Sequence, residues 1–246
     1  MSAKTIPISP AWNTAPIACR ECDLNAICRI TGRIGDDGRR SPTMGRMRTL
    51  RPGTLLFRAG APARAFFAIR EGTMKQTHIT AEGDERIVSF HLPGEVLGLE
   101  AFGQGTYDCD AIALDIVQCC ELPLPALDRQ TPRAATLATQ IVRLLSSAIP
   151  VQPPLARGSA RERVVNFLLD LSRRQRARGF DATRLNLSMT RCEIANLLDT
   201  RIETVSRMLQ QLHREEAIQV RGNRVRLLNL AGNEQDSLAT SARIAK

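Results

Sequence analysis

The chain has 246 residues, 43% of them hydrophobic and 24% charged, with a formal net charge of +9. That length suits two ordinary domains better than one large one, and the composition excludes disordered, collagen-like and coiled-coil classes. No apolar run approaches the roughly 18 residues needed to span a bilayer. Met1 to Ala15 carries Lys4, Pro7, Pro10 and Asn13 instead of an apolar signal core, so a cytoplasmic protein with no membrane partner is expected.

Charge is unevenly placed. Residues 157–246 hold 17 of the 34 Lys and Arg and 10 of the 25 Asp and Glu, a balance of +7, against +2 for residues 1–156. A basic C-terminal third points to a polyanion partner, because each neutralised phosphate releases condensed counterions.

In chain order, the first feature is Cys19-Arg-Glu-Cys22-Asp-Leu-Asn-Ala-Ile-Cys28, three of seven cysteines. Cytoplasmic thiols serve metals or redox work more than disulfides, and an odd total excludes complete pairing. With a fourth thiolate from elsewhere the three would make a set for zinc or for an iron–sulfur cluster, and spacing alone leaves both open. From Leu50 to about Leu127, short β-type runs are cut by glycines. Gly72, Gly83 and Gly94 fall 11 residues apart, the spacing of a strand plus a turn in an antiparallel roll. Thr54 to Phe57, Ala65 to Ile69 and Arg86 to Phe90 read as strands, and Ala81 to Asp84 as a hairpin turn. Leu137, Ile141, Leu144, Leu145 and Ala148 have amphipathic helical spacing over 134–148. Pro150, Pro153 and Pro154 interrupt it and place a linker near 151–158.

The remainder reads as a compact helical unit. Ser159 caps a helix to about Arg178, with Val164, Val165, Phe167, Leu168 and Leu171 inward and Gly179 ending it. Thr190 and Glu193 form a capping box for a short helix. Ile202 to Arg214 form a second helix, with Val205, Met208, Leu209 and Leu212 inside. Ile218 to Leu228 alternate around a Gly222-Asn223 turn, a hairpin. Two short helices and a hairpin make a winged helix-turn-helix, whose second helix enters the major groove. Its first turns present Glu203, Ser206 and Arg207: the guanidinium can donate twice to guanine and the carboxylate can accept from cytosine. Catalysis is not expected: only His78, His91 and His213 could serve as imidazole bases, and there is no Gly-x-Ser-x-Gly or phosphate loop.

Cys19-x2-Cys22-x5-Cys28, Cys120-Glu-Leu-Pro123, Leu171-Ser-Arg-Arg174 and Glu203-Thr-Val-Ser-Arg207 together make the chain resemble the CRP/FNR superfamily of bacterial transcription regulators, in its FNR (fumarate and nitrate reduction regulator) branch. The resemblance runs from Cys19 to about Asn229. It implies an α+β chain: a cysteine-containing segment (1–48), an N-terminal antiparallel β-roll sensor domain (49–128), a connecting dimerisation helix and linker (129–158), and a C-terminal winged helix-turn-helix (159–246). It further implies an oxygen-responsive activator, a homodimer on double-stranded DNA, whose 4Fe-4S cluster is held by Cys19, Cys22, Cys28 and Cys120 and is degraded by oxygen. Cys120 is preferred to Cys119 because Glu-Leu-Pro follows it in the family register, whereas Cys109 and Cys192 match no ligand position and Cys192 is expected to be buried.

The resemblance also assigns Glu203, Ser206 and Arg207 as reading residues and Ile202 as an apolar contact for a thymine methyl, on an inverted repeat close to TTGAT-N4-ATCAA. The Ala81 to Arg86 turn corresponds to a surface that meets RNA polymerase. Related β-rolls bind cyclic nucleotides through an Arg followed by Ser or Thr. Here Gly94-Glu95 is present, but Gly105 to Ala111 carries two acids and no Arg, so no cyclic nucleotide is expected. Three departures stand out. The prolines at 150, 153 and 154 would shorten or kink the dimerisation helix. Asp199 replaces the usual turn glycine. Arg201 replaces the usual Ser or Thr cap, with Thr200 as a substitute.

Overall fold

The computed structural model describes residues 16–30, 34, 46–123, 139–142 and 158–229. A 3-10 turn, Cys19–Glu21, leads into helix α1 (Asn25–Ile30). Eight strands follow: β1 (Met47–Leu50), β2 (Leu55–Phe57), β3 (Ala65–Glu71), β4 (Met74–Ile79), β5 (Glu85–His91), β6 (Val96–Leu97), β7 (Asp110–Ala113) and β8 (Val117–Pro123), with helix α2 (Ala101–Gln104) before β7. They form two antiparallel four-stranded sheets, β1-β8-β3-β6 and β2-β7-β4-β5. Their inner faces share a core that includes Phe57, Phe67, Ile69, Met74, Leu97 and Cys119. Phe57 stacks on Tyr107 with ring centroids 3.9 Å apart, and the Tyr107 hydroxyl donates to the Ala65 carbonyl at 2.7 Å. A buried phenol thus keeps a partner, as it must. Gly72 is required: its φ is +81°, and a Cβ there would lie 2.4 Å from the Ile116 carbonyl oxygen.

The winged unit comprises α3 (Ala160–Arg176), β9 (Arg184–Asn186), α4 (Arg191–Leu197), α5 (Ile202–Arg214), β10 (Ile218–Arg221) and β11 (Arg224–Leu227). The expected capping box forms, Glu193 N–H donating to Thr190 Oγ1, and the Ser159 cap proves to be a second one, with Glu162 N–H donating to Ser159 Oγ and both glutamate carboxylates reaching back. Helix α3 ends at Arg176, two residues earlier than expected, and Gly179 follows at φ +75°. Strand β9 was not legible in sequence. It has three residues with one buried side chain, Leu185, and exists because β11 pairs with it, Val225 opposite Leu185. Met208, expected inside, is only half-buried; Val205, Leu209 and Leu212 carry the inner face of α5.

The two halves share one core. Ile87, Phe90 and Leu92 of the roll pack with Val164, Phe167, Leu168 and Leu171 of α3 and with Ile194 and Leu198. Phe90 meets Phe167 edge-on at 6.2 Å. The expected amphipathic helix over 134–148 falls mostly outside the described residues. Within it, 139–142 are helical, with Ile141 buried and Val142 exposed. Pro150, Pro153 and Pro154, and all of the expected linker except Gly158, lie outside the described residues. Among the described residues, no helix is long and apolar enough to cross a membrane.

Candidate cysteine centre and nucleic-acid interface

The cysteine segment is anchored by its apolar residues. Leu24 and Ile27 are each 1% exposed and pack with Phe66, Ala68, Val96 and Leu122 on the outer face of the β3–β8 sheet. The turn is tied by its backbone: Cys22 N–H donates to the Cys19 carbonyl, Asn25 Nδ2 donates to the same oxygen at 2.7 Å, and Cys28 N–H donates to the Leu24 carbonyl. Anchored this way, Cys22 and Cys28 line the apolar cluster, and Cys120 joins them from β8.

Strand alternation separates the adjacent pair. Successive side chains on β8 point to opposite faces. Cys120, opposite Ala68, lies with the outer cluster, while Cys119, opposite Ile69, lies fully buried in the roll. Burial pushes the Cys22 thiol up to about 12, and the nearby Cys28, Asp23 and Cys120 raise it further against a hydrogen bond from Leu24. Burial pushes Cys119 to about 12 as well. Cys19, half-buried in the 3-10 turn, is the member not placed in that cluster. Among the described residues, no three His, Cys, Asp or Glu side chains converge as a ready site for a metal ion. The donor set nonetheless fits a thiolate-ligated centre by its chemistry. Neutral thiols around an apolar pocket ionise when a cationic core compensates them, and such a core is what thiolates bind.

Two arginines join this region to the winged unit. Arg174 Nε donates to Glu95 at 2.8 Å, and its Nη atoms bond Glu95, Asp170 and the Phe90 carbonyl. Burial alone would raise the Glu95 carboxyl, yet Arg174, with Arg178 and His91, holds it down at about 2. In the sequence, Leu171-Ser-Arg-Arg174 carries only the family resemblance. An arginine pair on the half-buried side of a helix was the available signal.

On the reading side, Ile202 is 42% exposed, Glu203 and Arg207 are exposed, and Ser206 is half-buried at the start of α5. Among the described residues neither Glu203 nor Arg207 is in an ion pair. The turn before α5 passes through Asp199 at φ +50°, a conformation aspartate tolerates better than most side chains. Arg163 of α3 braces it by donating to the Leu198 and Asp199 carbonyls at 2.9 and 2.8 Å. The cap expectation fails. Arg201, not Thr200, is the N-cap, and no side chain caps the helix. Cys192 is also exposed rather than buried, because position two of α4 faces away from the core that Ile194 and Ala195 enter. Arg191 Nη2 donates to the Gly222 carbonyl at 3.1 Å, tying the wing to α4 and gathering Arg191, Arg221 and Arg224 near one another.

A β-roll fused to a winged helix-turn-helix with an exposed reading helix defines a DNA-binding transcription regulator, not an enzyme. Residues 47–132 match the cyclic nucleotide-binding domain family and residues 162–232 the Crp-like helix-turn-helix domain. The chain is 36% identical over 216 residues to the transcriptional activator protein anr of Pseudomonas aeruginosa, covering 86% of this chain and 88% of that one. It is 34% identical over 220 residues to the fumarate and nitrate reduction regulatory protein of Vibrio cholerae, covering 87% and 88%. Among solved structures, FixK2 from Bradyrhizobium japonicum superposes with a TM-score of 0.68 at 25% identity, over 76% of this chain and 94% of that one. The chain belongs to the CRP/FNR family, in its FNR branch.

Proposed function

We propose that this regulator senses oxygen through a 4Fe-4S cluster held by Cys19, Cys22, Cys28 and Cys120 and, with the cluster intact, binds a palindromic DNA site as a homodimer. One observation carries the reading: Cys22 and Cys28 from the N-terminal segment and Cys120 from a strand 92 residues beyond Cys28 line a single apolar cluster. The FNR branch and the name of the Vibrio relative support it. When bound, the cluster supplies an oxygen-labile cationic core that keeps the thiols ionised. The protein's own part is positional. Leu24 and Ile27 pin the segment on the sheet, and the cluster residues Phe66, Val96 and Leu122 keep the thiols in an apolar setting. Ile202, Glu203, Ser206 and Arg207 read the bases, and the turn at Ala81 to Arg86 is the surface offered to RNA polymerase.

The test is purification without air, followed by absorbance and DNA-binding measurements before and after exposure to air. A brown protein whose visible band bleaches while DNA affinity falls is the expected outcome. Stoichiometric zinc without iron would overturn the sensor in favour of a structural four-cysteine zinc site.

A further inference from the structure

The segment carrying the cysteines touches the DNA-binding unit directly. Asp23, the residue after Cys22, accepts from Arg178 Nη2 at 2.7 Å across 155 residues of sequence. Arg178 Nη1 lies 3.6 Å from Glu95 Oε1 and donates to the Arg174 carbonyl at 2.9 Å. Glu95 is clasped by Arg174 and accepts from the Leu92 amide at 3.0 Å. The contact is built tightly around Gly94, whose carbonyl accepts from the Asp23 amide. A Cβ on Gly94 would lie 2.6 Å from both Arg178 Cδ and Ile17 Cδ1, and its φ of +96° favours glycine where the two segments meet.

We propose that Arg178 is a positioning residue for the cysteine loop, and that the Asp23–Arg178–Glu95–Arg174 chain of ion pairs couples that loop to the orientation of the DNA-binding unit within one protomer. The inference rests on the oxygen-sensing reading for its consequence but not for its geometry. Arg178 is 12% exposed and Asp23 36% in their side chains. Bound to the arginine, Asp23 holds the loop from Cys19 to Cys28 against Gly94. The same guanidinium leans on Glu95 in the roll and is rooted beyond the last turn of α3. A loop that shifts therefore loosens α3, and by reciprocity a DNA-bound winged unit tightens the loop. This path needs no partner subunit.

The test compares the full-length wild type, Asp23→Arg, Arg178→Asp and the double charge swap, with Asp23→Asn as a milder variant that keeps the fold. Chelator-treated, metal-free protein is exposed to iodoacetamide, and the alkylation rate of Cys22 is read by peptide mass spectrometry. Each single variant is expected to raise the rate about fivefold, the low end of typical coupling between sites. The double swap, which restores the pairing at Asp23 but sets a carboxylate beside Glu95, should bring the rate at least halfway back to wild type. Equal rates in all five proteins, or a double swap as fast as the singles, would overturn the proposal. Because this readout needs no cluster, a protein that is colourless when purified without air, yet gives the expected pattern after chelation, would sink the oxygen-sensing reading and leave the coupling standing.

Discussion

Replacing Glu95 by Gln tests whether the buried carboxylate between two arginines holds the halves together. The group ordinarily titrates near 4.5 and here at about 2. At about 1.36 kcal/mol per pKa unit, the folded state favours the ionised form by about 3 kcal/mol. Arg174 is 26% exposed, and it keeps Asp170 and the Phe90 carbonyl in the variant, so the loss at pH 7 should be about 2 to 3 kcal/mol. A depressed carboxylate stabilises above its unfolded value and loses that contribution as pH falls through the folded one. The gap between wild type and Glu95→Gln should therefore be full at pH 7, begin to close below about 4.5 and vanish near 2. His91, kept neutral by burial down to about 4, weakens both proteins from pH 6.5 downward, so the difference between them is the quantity to read. Urea midpoints from pH 7 to pH 3.5 measure it. A gap below about 0.5 kcal/mol at pH 7, or one that does not change down to pH 3.5, would refute the reasoning.

Other outcomes follow from the same geometry. Arg207→Ala should weaken DNA binding by about 1 to 3 kcal/mol and relax choice at one base pair, and an unchanged sequence preference in a binding titration would count against the reading helix. Arg201→Thr supplies the missing cap and removes a cation from a helix N-terminus. It should stabilise the protein by about 1 kcal/mol in thermal unfolding, and an unchanged melting temperature would count against the cap. Cys120→Ser should abolish the visible band of protein prepared without air. Cys119→Ser should retain the band and cost about 1 to 3 kcal/mol of stability for an unpartnered core hydroxyl; a reversed pattern would exchange their roles. Phe66→Ala should destabilise by about 3 to 5 kcal/mol in denaturant melts, because Phe66 is fully buried beneath the cysteine segment.

Much of this protein is local and so was legible in its residues. The cap at Ser159, the capping box at Thr190, the period of α5 and the hairpin turn at Gly222 are set by neighbours within a few positions, and the structure repeats them. The glycines 11 apart marked a roll, and the exposed face of α5 could be named in advance, because helical periodicity decides which side chains a packed helix leaves outside.

What the residues alone left open depends on contacts made across long stretches of chain. Strand β9 exists through its pairing with β11. Cys119 and Cys120 are told apart by the face each takes in a sheet whose register is set by β3. The missing cap on α5 depended on where the turn at Asp199 came to rest under Arg163, and the exposure of Cys192 on which face of α4 the core took. The path from Asp23 to Arg174 joins three segments distant in sequence, and no spacing rule could foretell it. Short-range hydrogen bonding and periodicity are written in neighbouring residues, whereas electrostatic partners are chosen only when the folded chain brings them together.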